Sequence, residues 1–563
     1  MRLKLRPAVH YAPLANGVYL AGAGAPFVFQ GSPALFRIAD VCLPLLEDGA
    51  DEDVLVEALG PRARPVVRKL LDALDAHGLL LRPEQLSAPE PDEATRHEFA
   101  EILAHLEAHS TDPYADFARL RKTRTVLAGP CDAVLPAARG LWRAGVRELV
   151  LAVDDPAAAE LTGGRLGVPV HETRVAEEAA RHADAVVSFT QAGAEYPVAA
   201  DALPATVTYV PVRLGGPLGQ VGPVLRGPDA EATSNALWRR AVNWAHHRRS
   251  EPPLRPASDA LAGALAVELL LSALTTGPAA PKAHAPQAHA PQVQAPQAHA
   301  LQGPGLTATP LSLPAAPVAG TSDPVELVAA VTGTFLGPLA GETPYDLPQL
   351  PLALARTTAV DLPGRPAFVR WGDNQAEAAL EAALEALRAM VTSTEPRSVA
   401  AAGADETRAL LDGALRLLAE RATPTQEIPD PGRLPERPAS LWRTLVGYEL
   451  TPFEAESAAL PGVDWRLVRL RHPDGRPLSA AWGPDADTAL THALAEALTH
   501  VQAGVPATLG TAALTTADQP TLDTLCRQLA RYGPTARRAA PDPLLGALPL
   551  WHGSVVLVEA GHG

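Results

Sequence analysis

Short apolar runs open this chain, and helical spacing follows them. Gly17-Val18-Tyr19-Leu20 and Pro26-Phe27-Val28-Phe29-Gln30-Gly31 are rich in β-branched and aromatic residues and flank the small-residue turn Ala21-Gly22-Ala23-Gly24, so residues 7–31 read as short strands. Three helical patterns come next. Leu35, Phe36, Ile38, Leu43, Leu45 and Leu46 give the first. Asp51-Glu52-Asp53 opens the second with acids at its positive end. The third runs from Pro65 through Val66, Val67, Leu70, Leu71 and Leu74 and stops at His77-Gly78, before an apolar strand at Leu79-Leu80-Leu81. A hairpin followed by three helices predicts a small winged-helix arrangement over residues 1–85. Its open strand edge, beside an apolar helix, can accept an extended peptide as an added strand.

The pattern then changes to alternating strands and helices, the signature of an open α/β sheet. Residues 124–129, 148–154 and 183–189 read as strands and residues 133–144 as a helix. Residues 260–274 are the most apolar stretch, but they contain Glu268 and are too short to span a bilayer, which predicts a buried helix. Residues 278–321 are rich in Pro, Ala, Gln and His and repeat Ala-His-Ala-Pro-Gln imperfectly, so they are expected to form a flexible linker, with His284, His289 and His299 as spacers. Beyond it, Asp323-Pro324 starts a helix and residues 350–355 are extended. Alanine-rich helices follow at 376–390 and 487–501, with a hairpin around Pro473-Asp474-Gly475 between them. The expected domains are therefore 1–85, 95–277, the linker 278–321, and 323–563, in an α/β multidomain chain.

Composition narrows the function classes. A chain of 563 residues predicts about three domains at roughly 100–200 residues each. A formal charge of −16 argues against phosphate neutralisation and hence against a nucleic-acid partner. Cys42, Cys131 and Cys526 are widely spaced and form no metal-spaced pair. With no apolar run after Met1, this suggests a cytoplasmic protein with no signal peptide and no membrane partner.

The ordered set Tyr19-Leu20, Phe27 to Gly31, Leu46-Glu47-Asp48-Gly49, Leu71, Leu74 and Gly78-Leu79-Leu80 resembles the PqqD-like recognition element of RiPP biosynthesis. In that family a leader peptide pairs with the third strand and rests on the third helix. The resemblance therefore implies a peptide site at Phe27, Val28, Phe29, Gln30, Arg64, Val67, Arg68 and Leu71. The arginines would attract acidic leader residues.

The middle segment resembles the ThiF fold, and its Gly222-Pro223, Gly227-Pro228 and Arg239-Arg240 resemble the ocin-ThiF-like partner proteins of azole-peptide (TOMM) pathways. The chemistry of that fold is not kept. A dinucleotide loop needs glycines where backbone meets phosphate, and here the run is Gly129-Pro130-Cys131-Asp132-Ala133-Val134. Asp154 or Asp155 remains as a candidate ribose ligand and Cys131 as a candidate nucleophile at a strand-to-helix turn. The family's metal aspartate falls near Thr190 and its zinc cysteines on Ala232 and Asn235.

The last segment resembles the YcaO cyclodehydratase fold, whose helix carries S-x-x-x-E-x-x-E-R acids for magnesium and ATP. The matching run has Glu381, keeps Glu385, and places Arg388-Ala389 where Glu-Arg is expected. A second run retains Glu496. Isolated glutamates on alanine-rich helices are expected to be solvated, and an ATP site needs several convergent acids. The segment is expected to be either a degenerate YcaO-like scaffold or an unrelated α/β docking domain. The resemblances together imply a protein without catalytic residues, cofactor or metal. It would bind a precursor leader and present the core to a partner YcaO cyclodehydratase for azoline formation, in thiopeptide or other azole-peptide biosynthesis. The competing expectation is an ATP-dependent adenylating or cyclodehydrating enzyme with a divergent nucleotide site.

Overall fold

A computed structural model describes residues 2–22, 25–155, 170–172, 176–227, 230–275, 298–312, 323–342, 346–392, 395, 397–427, 431–449, 452–506 and 508–558. It divides into two compact units, Met1–Asn235 with Ser250–Ser312, and Ala236–Arg249 with Leu313–Gly563.

The first unit begins with β1 (Lys4–Leu5), β2 (His10–Leu14), β3 (Gly17–Ala21) and β4 (Phe27–Gln30), then α1 (Ala34–Glu47), α2 (Glu52–Leu59), α3 (Arg64–Ala76) and β5 (Leu80–Leu81). Strands β2, β3 and β4 form one antiparallel sheet in that order, while β1 pairs with β5. Asp51 caps α2 by accepting the Val54 N–H, so the acidic start read in the sequence is a true N-terminus. Val67, Leu70, Leu71 and Leu74 fall on one face of α3 and are buried with Val18, Leu20, Leu43, Leu46 and Leu55. At about 1.5–3 kcal/mol for each such side chain removed from water, this stripe holds the three helices on the hairpin.

Helices α4 (Glu93–Glu98), α5 (Ala100–His109) and α6 (Pro113–Lys122) lead into the larger sheet of this unit. Its members are β6 (Arg124–Gly129), β7 (Glu148–Val153), β8 (Val170–Glu172), β9 (Ala185–Gln191), β10 (Thr208–Leu214) and β11 (Gly219–Val221), followed by β12 (Ala298–Gln302) and β13 (Thr307–Leu311). The order β13-β12-β11-β10-β9-β6-β7-β8 is parallel from β10 to β8 and antiparallel from β10 to β13. Helix α7 (Cys131–Arg143) follows β6, and α8 (Ala176–Ala180) precedes β9. Helix α9 (Ala230–His247) begins in this unit, and its residues from Ala236 belong to the second. Helix α10 (Ala257–Thr275) runs past both ends of the apolar stretch at 260–274 and is long and apolar enough to cross a membrane by length and composition, which corrects the expectation that it is too short. Here it buries Ala262, Ala266, Leu269 and Leu270 in the same core as Leu141 of α7 and Val212 of β10, as expected for a core helix.

Two strands correct the linker reading. Residues 298–312 lie inside the span expected to be a flexible linker, yet β12 and β13 extend the sheet, and His299 is buried opposite Val221. Residues 276–297, with His284 and His289, lie outside the described residues, as do residue 228 and residues 559–563.

In the second unit a strand–glycine–helix motif occurs three times. It starts after α11 (Pro324–Val331), β14 (Leu339–Glu342) and β15 (Ala353–Ala359). Strand β16 (Ala367–Gly372) then leads to α12 (Gln375–Met390), and β17 (Ser398–Gly403) to α13 (Glu406–Leu418). After β18 (Thr423–Glu427), α14 (Glu436–Glu449), β19 (Glu454–Ala459) and β20 (Arg466–Arg471), strand β21 (Pro477–Gly483) leads to α15 (Ala486–Ala503). Asn374, Asp405 and Asp485 cap the three helices through their side chains. A Cβ on Gly372, Gly403 or Gly483 would lie 2.4–2.5 Å from a helix backbone nitrogen, so only glycine lets each helix turn so tightly off its strand. The unit ends with β22 (Leu509–Gly510), α16 (Ala513–Thr516), α17 (Gln519–Leu529), β23 (Pro534–Arg538) and β24 (Trp551–Leu557).

Candidate functional site

Strand β4 is the outer strand of its sheet and pairs, among the described residues, only with β3. The Gly31 N–H donates to the Asn16 carbonyl at 2.8 Å. In an antiparallel pair, residues alternate between bonding the partner and facing away. Counting back from Gly31, Phe29 and Phe27 bond towards β3, and the backbone groups of Val28 and Gln30 point to the open side. That edge offers two donors and two acceptors to an incoming strand. Phe27 and Phe29 are half-buried against the core, whereas Val28 and Gln30 are exposed. The Phe27 ring is stacked on His77, the C-cap of α3. Thus the start of the open edge and the end of α3 border one surface.

The expected peptide contacts separate by burial. Val28, Gln30, Arg64 and Arg68 are at the surface. Val67 and Leu71 are core, which corrects their assignment: they share the helix face of Leu70 and Leu74, and that face is turned inward. Arg64 pairs with Asp53 at 2.8 Å and Glu52 at 3.4 Å, and Arg68 pairs with Glu52 at 2.9 Å. Exposed pairs of this kind contribute little to stability, because solvent and salt screen them. His77 was missed from the sequence, where it read only as a helix stop.

The second candidate region is where β6 and β9 lie side by side and the strand order reverses, the place where open α/β sheets bind ligands. A Cβ on Gly129 would lie 2.4 Å from the Phe189 carbonyl oxygen, so this glycine serves strand packing. The Cys131 N–H at the start of α7 donates to Asp154 Oδ1 at 3.0 Å. The chain's own carboxylate therefore occupies a donor that a phosphate would need. The Cys131 thiol lies 3.2 Å from the Asp155 carbonyl; burial, reinforced by the Asp154 carboxylate and only partly offset by that carbonyl contact, pushes its pKa up to about 11. A thiol held protonated is a poor nucleophile. Thr190 Oγ donates to the Glu195 carbonyl at 2.8 Å, and Asn235 accepts from Arg213, so these two of the three aligned metal positions make internal bonds; the third is Ala232.

The third region corrects the reading of solvated glutamates. Glu381, Glu385 and Glu496 converge inside the second unit with Asp412 of α13. Glu381, Asp412 and Glu496 are buried. Glu385 lies 3.1 Å from Arg370 and 2.5 Å from Arg388, and Arg388 Nε lies 2.9 Å from Asp412 Oδ2. Burial alone would raise the Glu385 pKa, but Arg388, Arg370 and Arg416 hold it down to about 2. Glu496 accepts the Trp371 indole N–H at 3.1 Å and the Thr508 hydroxyl at 3.2 Å. Among the described residues no group of three or more His, Cys, Asp or Glu side chains is arranged to hold a metal ion.

No protein-family model and no curated protein matches this chain. Among solved structures, a heterocyclase in complex with substrate and cofactor is similar with a TM-score of 0.51 and 13% identity, over 99% of this chain and 94% of that one. E. coli MccB with AMPCPP and MccA gives a TM-score of 0.39 at 13% identity, over 57% of this chain and 99% of that one. The likeness to the heterocyclase shows a shared α/β multidomain fold.

Proposed function

We propose that the chain binds the leader of a ribosomally made precursor peptide through the open edge of β4 and presents the core peptide to a partner YcaO cyclodehydratase. Residues 1–85 act as a PqqD-like winged-helix recognition element, the sheet of β6–β13 as a degenerate ThiF-like domain, and residues 323–563 as a degenerate YcaO-like scaffold. The single observation that carries this reading is the outward-facing backbone of Val28 and Gln30 beside α3. An extended peptide gains affinity from such an edge by main-chain hydrogen bonds and specificity from alternate side chains. The α/β multidomain fold shared with a heterocyclase along 99% of the chain supports a role in RiPP maturation in general. Capture raises the local concentration of the core at the partner's site without a new catalytic contact. The partner supplies the ATP chemistry that turns Cys, Ser or Thr of the core into azolines.

A second reading, in which this chain itself uses ATP to adenylate or cyclise, draws on that same shared fold. The self-capped α7 N-terminus and the arginine-paired acids of the second unit weigh against it. Mass spectrometry of the precursor after incubation with Mg-ATP distinguishes the two. Loss of water from the core only when chain and partner are both present supports presentation; loss of water, or ATP turnover, with the purified chain alone overturns it.

A further inference from the structure

The second unit holds four carboxyls and three guanidiniums in one buried cluster, and their arrangement disagrees with the magnesium and nucleotide that the YcaO resemblance implies. Glu381, Glu385 and Arg388 are at positions i, i+4 and i+7 of α12, so one stripe of the helix delivers all three. Asp412 and Arg416 come from α13, Arg370 from β16, and Glu496 from α15.

Asp412 is the clearest case. Its Oδ1 accepts from Arg416 Nε at 2.8 Å and from Thr511 Oγ at 2.6 Å. Its Oδ2 accepts from Arg388 Nε at 2.9 Å and from the Ala402 backbone N–H at 3.1 Å. A carboxylate offers about four lone-pair sites, and all of them are engaged by this chain. Glu385 Oε2 is shared by Arg370 and Arg388. Both oxygens of Glu496 are engaged by Trp371 and Thr508. Glu381 is bound by the Thr515 hydroxyl and, like Glu496, has no guanidinium partner among the described residues; burial raises its pKa despite Arg388. Arg408, which lines the same cleft, is committed to Asp405.

A hard divalent cation needs several oxygens converging on it. Here a cation would have to displace Arg388, leaving a buried guanidinium with fewer counter-charges. We infer that the Arg388 guanidinium stands where a divalent cation would, and that it closes this cluster to magnesium and to metal-bound nucleotide. The inference concerns residues 323–563 alone and stands whether or not residues 1–85 bind a leader.

The test uses the full chain and Mn²⁺ as the probe, read by thermal unfolding and by electron paramagnetic resonance of bound ion. Wild type is expected to show no saturable Mn²⁺ binding that depends on Asp412 and no cation-dependent shift of Tm. Arg388→Met leaves the carboxylates uncompensated and is expected to lower Tm by about 10 °C. Millimolar Mn²⁺ should recover part of that loss where equal ionic strength of NaCl does not, and the recovery should vanish in Arg388→Met/Asp412→Asn. Arg388→Lys, which keeps the charge, should remain folded and cation-insensitive if Arg388→Met does not fold. Saturable Mn²⁺ binding by wild type that Asp412→Asn abolishes would overturn the inference. So would a folded Arg388→Met indifferent to Mn²⁺, or an Arg388→Lys chain that needs the ion.

Discussion

The rings of Phe27 and His77 lie 3.7 Å apart between centroids and within 6° of parallel. This contact ties the first residue of the open edge strand to the end of α3. Stacked aromatic pairs contribute about 0.5–1.5 kcal/mol beyond their buried area. His77→Ala is therefore expected to weaken leader binding roughly 2- to 10-fold by loosening β4. His77 is at the exposed C-cap, so Tm should change little. Anisotropy and calorimetry on the same samples would check both.

The acids of the second unit should respond unequally to neutralisation. Asp412→Asn removes the charge that holds Arg388 and Arg416, and breaking such a buried pair costs about 3–5 kcal/mol. Glu381→Gln keeps a partner for Thr515, and Glu381 is held by that hydroxyl rather than by a guanidinium, so its effect should be smaller, within about 1 kcal/mol of neutral. Urea unfolding of the two variants gives the comparison.

Stability should fall with acid in two windows. His492 packs edge-on against Trp371, and burial pushes its pKa down to about 4 from 6.5. The unfolded chain takes up this proton first, so stability present above pH 6.5 is lost as pH falls towards 4, on the order of 3 kcal/mol at about 1.4 kcal/mol per pKa unit. Glu385 follows the usual carboxylate direction: its ion-paired contribution is full above pH 4.5 and is lost as pH falls to about 2. His492→Phe should remove the upper window and leave the lower one, as measured by denaturant midpoints across pH.

Deletions should separate the two parts of the Pro/Ala/Gln/His-rich segment. Shortening within residues 278–296 should leave leader affinity and Tm nearly unchanged, since chain length enters closure entropy only logarithmically. Deleting residues 298–312 removes β12 and β13 and uncovers β11, so it should lower Tm and expose a sheet edge prone to association. Thermal scans and light scattering would read the difference.

Much of the backbone plan was legible because its signals are local. The strand at residues 124–129, the Asp323-Pro324 helix start and the hairpin around Pro473-Asp474-Gly475 were all found where expected. The last two strands of the large sheet were not. Ala298-His299-Ala300 repeats the composition of the low-complexity run before it, and only pairing with β11 makes it a strand. The acid cluster was hidden for a related reason. Spacing within α12 shows Glu381, Glu385 and Arg388 on one stripe, but Asp412, Arg370 and Glu496 reach them from other elements. In the peptide site, strand β4 was legible. The burial of Val67 and Leu71 was less so, since an apolar helix face looks the same in sequence whether it packs inward or receives a peptide.

The central claim is that a leader pairs with the β4 edge, and proline tests it most directly. Val28→Pro and Gln30→Pro remove the two outward N–H groups and leave the residues bonded to β3 in place, a substitution that edge strands tolerate. The probe is a fluorescent peptide spanning the leader of a ribosomal precursor peptide, titrated with the full chain and followed by anisotropy. At about 0.5–1.5 kcal/mol per lost hydrogen bond, the account predicts saturable binding by wild type and a loss of about tenfold or more in the double variant, with Tm retained. Equal affinity in the folded double variant, or no binding by wild type, would contradict it.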